Sequence, residues 1–402
     1  MGLTVAELLI PLISGIIGWG TNVQAVKMMF HPVNPIGWPP WFGWVGIVPS
    51  NAERLAKVGL SLIMRDLLKI HELFEGRKAE DFLAPSESRM IAMTKQIVDE
   101  QASRRFPAMW QMLPESAKAM AHETAVTEVK GMSVRVVERV ISRMPELLDT
   151  EAVVLNAVRS DKTLMNQMFL QVGKKEFSFI EWSGLWFGLL FGFVQFAAWL
   201  IYPAWWTLPA FGFVVGYVTN WLALVLIFDP KKPKNILGFT VQGLFHKRQA
   251  EVAHEFGIMI SSRVFNNENI FRQLSRSESR LKILDMVEEE ADAALAKWQN
   301  HPMAMGIVTP ELVAEMRAEI RVAVEVELFA ENGVIASVTA QSDEIRRLLQ
   351  ERMKAMDPEA FENVLRPAFK QDEWKLIVVG AVLGLIVGFL QVWFTVSDQV
   401  VP

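Results

Sequence analysis

Two Thr-Asn pairs, Thr21-Asn22 and Thr219-Asn220, lie inside hydrophobic stretches of this 402-residue chain. Hydroxyl and carboxamide groups in such surroundings must find hydrogen-bond partners, and within a bilayer they often mark pathways. Two readings fit them. In one, Asn22 and Asn220 cap broken helices or bond across a pseudo-twofold axis. In the other, they line a polar cavity for an ion, a small solute or a lipid headgroup. Gln24 and Lys27 would then contribute on one side only, since Leu222 and Val225 stand at the corresponding places. Gln195 and Gln391 allow the same choice between an interhelical hydrogen bond and a symmetric polar site. Lys231, Lys232, Lys234, Lys247 and Arg248 follow the second pair and suit either anionic lipid headgroups or a plain topology signal.

Covalent chemistry finds no anchor. There is no Cys, and the six His are scattered without metal-ligand spacing. No phosphate loop of the G-x-x-x-x-G-K-[ST] type, H-E-x-x-H helix or G-x-S-x-G elbow occurs. Acidic runs such as Glu288, Glu289 and Glu290 read as solvated helix surface. We therefore expect no enzyme, no metal and no cofactor. The net charge of −5 disfavours general nucleic-acid binding, which rests on neutralising phosphates.

The elements that carry these residues are set by charge distribution. Trp182 to Phe228 is a run of 47 residues without Asp, Glu, Lys or Arg; Leu376 to Ser397 is a second run, of 22, and Leu8 to Val26 a third, of 19. About 20 apolar residues span a bilayer. Pro203 and Pro209 mark a turn within the longest run, so it reads as a helical hairpin, and four crossings result. The amino terminus lacks a basic stretch and a small-residue cleavage site, so the first segment is expected to be retained.

The chain also reads as written twice. Gly18, Thr21, Asn22, Ala25, Phe30 and Pro32 recur at an offset of 198 as Gly216, Thr219, Asn220, Ala223, Phe228 and Pro230. At that offset Ala52, Glu53, Gly59 and Arg65 also pair with Ala250, Glu251, Gly257 and Arg263. At an offset of 196, Gly184, Gly188, Gly192 and Gln195 match Gly380, Gly384, Gly388 and Gln391. Small residues at every fourth position let helices approach closely. These glycines, with Ser14 and Gly18 and their counterparts Gly212 and Gly216, are expected to be packing surfaces.

The fold expected is all-α, an integral membrane protein of two parallel tandem repeats. It comprises an entry segment (1–30), a helical lobe (31–181), an exit helix (182–201), a second entry segment (207–228), a second lobe (229–374) and a second exit helix (375–396). Both halves enter and leave in the same sense, so their axis runs along the membrane normal. Lysines and arginines cluster at the lobe-facing ends, placing the lobes in the cytoplasm and both termini outside. Trp38, Trp41, Phe42 and Trp44 suggest a loop lying in the membrane interface. From Lys27 to Lys175 there are 20 basic and 17 acidic residues; from Asp229 to Lys375 there are 20 and 24. Lobes of opposite sign could pair within a chain or between chains.

The doubled T-N-x-x-A-x-x-x-x-F-x-P string resembles the YheB/YjiN-like group of bacterial membrane proteins, a family of unassigned activity. The second copy carries the more specific pattern, extending through Gly243, Leu244, Lys247, Arg248 and Gln249. Gly46-Ile47-Val48-Pro49 in copy one meets Gly243-Leu244-Phe245-His246 in copy two, so the second proline is missing. The resemblance implies a protein of the bacterial cytoplasmic membrane. The residues themselves favour a homo-oligomeric scaffold or lipid-interacting assembly factor without catalytic activity; the alternative is a transporter or channel using the Thr-Asn pairs. Membrane lipids are the expected partners, and no protein partner is indicated.

Overall fold

A computed structural model describes residues 5–38, 42–236, 239–299, 310–365 and 373–397. Its long helices are α1 (Ile10–Phe30), α2 (Glu87–Arg105), α3 (Glu115–Ser142), α4 (Lys174–Ile201), α5 (Thr207–Phe228), α6 (Ser277–Gln299), α7 (Pro310–Leu328) and α8 (Glu373–Ser397). Shorter helices join them. The lobes are helical, as their apolar periodicity predicts, apart from two small antiparallel hairpins. One pairs β1 (Ile36–Trp38) with β2 (Phe42–Trp44), placing Gly37 opposite Gly43; the other pairs β3 (Lys234–Ile236) with β4 (Phe239–Val241). The stretch expected to form an aromatic interface loop thus contains a hairpin. Trp41 lies outside the described residues.

Among the described residues, three helices are long and apolar enough to cross a membrane: α4, α5 and, over Glu373–Trp393, α8. Four were expected. The first, α1, falls outside this set because Gly15, Gly18, Gly20, Thr21, Asn22, Gln24 and Lys27 dilute its apolar content. The spans are built with their small residues inside and their large ones outside. In α4, Gly184, Gly188 and Gly192 are buried, while Trp182, Trp186, Leu190 and Phe193 are each more than half exposed. The same reversal places Ile386, Phe389 and Trp393 on the outside of α8. A continuous apolar girdle of this kind is costly in water and stable in lipid.

The chain divides into two compact units, each drawing on both polar regions of the sequence. The first comprises Met1–Leu67, Val154–Met259 and Arg347–Pro402 and contains α1, α4, α5 and α8. Here α1 packs along α4 and α5 along α8, and the two pairs also touch. At one end Ile10, Trp199 and Leu208 form a buried cluster with Phe196 and Val392 against it.

The second unit comprises Leu68–Val153 and Ile260–Arg346. In it α2 and α6 pack on α3, and α7 packs on α6. Met132, Val136, Val137 and Val140 of α3 and Ile283, Leu284 and Val287 of α6 are buried. Basic residues from the first polar region meet acidic residues from the second around this core. Arg89 pairs with Glu327 at 2.8 Å, Arg104 with Glu319 at 3.0 Å, Arg105 with Glu315 at 2.7 Å, and Arg135 with Glu290 at 2.7 Å. The opposite charges of the two regions are therefore engaged within one chain.

Candidate functional site

The conspicuous arrangement of the first unit is a pair of glycine-floored helix contacts, each clasped by an asparagine. On α1, a Cβ added at Gly18 would collide with the carbonyl oxygen of Gly184, and one added at Gly184 would collide with that of Gly18. A Cβ at Gly188 would stand 2.5 Å from the Ser14 carbonyl oxygen, and one at Gly192 would stand 2.7 Å from Pro11 Cα. Backbone thus lies on backbone along the whole contact, an approach open only to residues without a side chain. Gly212 and Gly216 meet Gly384 and Gly380 in the same way, and Gly388 lies against Pro209.

The polar residues singled out in the sequence sit over these floors. Asn22 is fully buried, and its Nδ2 donates to the Ile180 carbonyl oxygen at 2.6 Å. Asn220 Nδ2 donates to the Leu376 carbonyl at 2.8 Å. Both bonds cross from one helix of a pair to the other. Thr21 and Thr219 turn back on their own helices, donating to the carbonyls of Gly18 at 3.1 Å and Gly216 at 3.5 Å. Toward the other end, Ser14 Oγ donates to Gln195 Oε1 at 2.8 Å. Gln391 is buried as well, and Gly212 stands where Ser14 would be. α1 and α5 run unbroken through their Thr-Asn pairs, which removes the reading of those asparagines as caps of broken helices.

The basic residues of the second half engage carboxylates. Lys231 lies 3.4 Å from Glu359 and 3.5 Å from Glu362, and Lys232 lies 3.7 Å from Asp357. Arg248 is largely buried and reaches Glu176, in the first turn of α4, at 2.6 Å and Glu251 at 3.0 Å; Lys175 closes the ring on Glu251 at 2.7 Å. Burial opposes the charge on Arg248, yet its bonds to Glu251 and Glu176 outweigh that cost and raise its pKa. Hydrogen bonds from Arg248 and Lys175 pull Glu251 down to about 2. Lys234, by contrast, is exposed on β3.

Three features escaped the sequence reading. Gln249 donates to the carbonyls of Met353 and Met356, both at 2.8 Å, and so satisfies the end of the helix Ser342–Ala355. His246 is wholly buried, 3.4 Å from Glu362. At the matching places of the first half stand Pro49 and Asn166, whose Nδ2 donates to the Phe30 carbonyl at 2.6 Å. Finally, the correspondence between the halves shifts after the hairpins. Helices Ala52–Leu62 and Gln249–Met259, and the π-turns Ile63–Leu67 and Ile260–Val264 that follow them, match at an offset of 197. Buried Leu55, Ala56, Ile63 and Leu67 then fall on Val252, Ala253, Ile260 and Val264. The pairing of Ala52, Glu53, Gly59 and Arg65 with residues 198 further on is one place out of register, because the second hairpin loop is one residue shorter.

No family model matches the chain, and no solved structure matches it. Similar curated proteins are UPF0754 membrane proteins of Bacillus pumilus, 35% identical over 85 residues, and Staphylococcus epidermidis, 32% identical over 82. A UPF0754 membrane protein of Bacillus thuringiensis is 29% identical over 97 residues. The first two matches cover 20% of this chain and 22% of the relative, and the third covers 23% and 26%. The chain thus aligns with only about a fifth to a quarter of the length of these relatives, whose function is unknown. This likeness and the three apolar helices together mark a bacterial membrane protein.

Proposed function

We propose that this chain is a non-enzymatic scaffold of the bacterial cytoplasmic membrane that holds lipid and assembles with copies of itself. In this reading α1 is a fourth crossing beside α4, α5 and α8, both polar regions are cytoplasmic, both termini lie outside, and the halves are parallel tandem repeats. The YheB/YjiN-like resemblance belongs to the same reading. One observation carries it: the intramembrane asparagines spend their donors on the carbonyls of Ile180 and Leu376, over glycine floors, so the polar groups of the spans serve helix contact. The test is assembly of purified Asn22→Leu and Asn220→Leu proteins, followed by native mass spectrometry. Loss of the wild-type subunit number or of thermal stability supports the scaffold. A monomeric wild-type protein that retains no lipid overturns it.

A second reading, a transporter or channel, draws on a different observation. The Oδ1 atoms of Asn22 and Asn220 are buried without a hydrogen-bond partner among the described residues, leaving two acceptors for a water or small cation. Proteoliposome flux that disappears in both leucine variants while assembly is intact would favour it.

A further inference from the structure

The basic residues that the sequence offers to lipid stand mostly in the second half, where Lys231, Lys232 and Arg248 are held by carboxylates. At the corresponding end of the first half one lysine is not held in this way. Lys27 is exposed in the last turn of α1 and has no ion-pair partner among the described residues. It borders an open cavity of about 610 Å³ together with Gln24, His31 and Trp44. That volume lies within the range of small-molecule sites, roughly 300–1,000 Å³. The Trp44 indole donates to the His31 carbonyl oxygen at 3.2 Å, which fixes the ring at the rim with its face still partly exposed.

The helix contacts give the depth of this cavity. Asn22 is level with Ile180, and Gly18 with Gly184, so the helices run antiparallel. Lys27, five residues beyond Asn22, therefore falls near Lys175, where the apolar girdle of α4 gives way to charge. A long cationic side chain at that level reaches headgroup phosphates while its methylenes stay in apolar surroundings. Tryptophan rings favour the same level. At Val33 the cavity meets a second cleft, of about 540 Å³, bordered by Arg54, by Lys162 and by Arg159, whose charge is paired with Glu53 at 2.8 Å. In the second half, Leu222, Val225 and Asp229 stand in place of Gln24, Lys27 and His31, so those three polar side chains are absent from the matching positions.

We propose that Gln24, Lys27, His31 and Trp44 bind one phosphate-bearing anionic lipid headgroup, at a site present only in the first half. Lys27 supplies the charge, Gln24 and His31 supply hydrogen bonds, and Trp44 supplies the amphipathic wall. The proposal rests on the membrane placement proposed above, and the experiment separates the two.

Full-length protein is reconstituted in nanodiscs of phosphatidylethanolamine with phosphatidylglycerol, or of phosphatidylcholine alone, and released for native mass spectrometry. One phosphatidylglycerol per chain is expected to stay bound. Its occupancy should fall about tenfold in Lys27→Gln, recover in Lys27→Arg, and hold in Lys95→Gln, which removes an exposed lysine of α2. Phosphatidylglycerol retained equally by Lys27→Gln overturns the site, and so does equal retention of phosphatidylcholine by the wild type. Full displacement by millimolar inorganic phosphate identifies a free-phosphate site and also overturns the lipid assignment. Thiol labelling that finds the polar regions outside the cell overturns the placement but leaves lipid occupancy as a separate result.

Discussion

At the scale of single residues, the glycines and asparagines divide the work of holding two helices together. The glycines set the distance, and the asparagines add direction with one hydrogen bond per pair. Interhelical hydrogen bonds in membranes contribute about 0.6 kcal/mol on average and at most about 1.7. Asn22→Leu should therefore lower thermal stability only modestly. Gly184→Ala introduces a methyl where the Gly18 carbonyl stands, and overpacking costs about 1–3 kcal/mol. Thermal unfolding in detergent should rank Gly184→Ala below Asn22→Leu, and a wild-type midpoint for Gly184→Ala would refute the close approach. The spacing of four exposed the glycine surfaces in the sequence alone, because helical periodicity is local information. The target of each asparagine was not legible, since Ile180 and Leu376 are more than 150 residues away and carbonyl acceptors carry no residue-type signature. The one-residue slip between the halves hid for a related reason. Scattered identities arise in both registers, Gly59 with Gly257 at 198 and Ala56 with Ala253 and Ile63 with Ile260 at 197, whereas burial follows only the second.

At the scale of elements, the ring of Lys175, Glu251, Arg248 and Glu176 ties the start of α4 to the helix Gln249–Met259. Removing one partner of a buried ion pair typically costs about 3–5 kcal/mol, because the other charge is left uncompensated. Arg248→Met should be strongly destabilising, and Arg248→Met with Glu176→Leu should recover much of the loss, as read by thermal midpoints. The same ring predicts a response to acid. Glu251 has an ordinary pKa of 4.5 and is held at about 2 by Arg248 and Lys175, so its ionised form is favoured in the folded state. Its contribution is complete above about pH 4.5 and is lost as pH falls toward 2. Glu290, lowered by its hydrogen bond from Arg135, acts in the same direction. Midpoints measured from pH 7 down to 2.5 should fall below pH 4.5, less steeply in Glu251→Gln; a flat profile would contradict this. Arg248, Lys231 and Lys232, read from sequence as lipid or topology signals, have acidic partners that the sequence did not reveal, because charge runs show which sign is present but not what faces it.

At the scale of the whole molecule, two regions of opposite net charge meet inside the second unit, around the buried face between α3 and α6. Exchanging charges at Arg135 and Glu290 tests this directly: Arg135→Glu alone should destabilise, and adding Glu290→Arg should restore part of the loss. α4, α5 and α8 are apolar enough to read as spans by hydropathy as well as by charge, while α1, marked in the sequence by its charge-free run of 19 residues, is diluted by the small and polar residues of its contact with α4. That composition follows from the packing itself, since a helix that must lie backbone on backbone trades bulky apolar side chains for glycine and serine. If α1 nevertheless crosses beside α4, the turn between α4 and α5 and the amino terminus share one side, opposite both polar regions. Because the chain has no cysteine, each introduced thiol is an unambiguous reporter. Ala204→Cys, in the turn after α4, should react with a membrane-impermeant maleimide in intact cells, and Ser262→Cys should react only after the membrane is opened. Labelling of Ser262→Cys in intact cells would invert the topology. Labelling of both would leave α4 and α5 unable to form a hairpin through the bilayer.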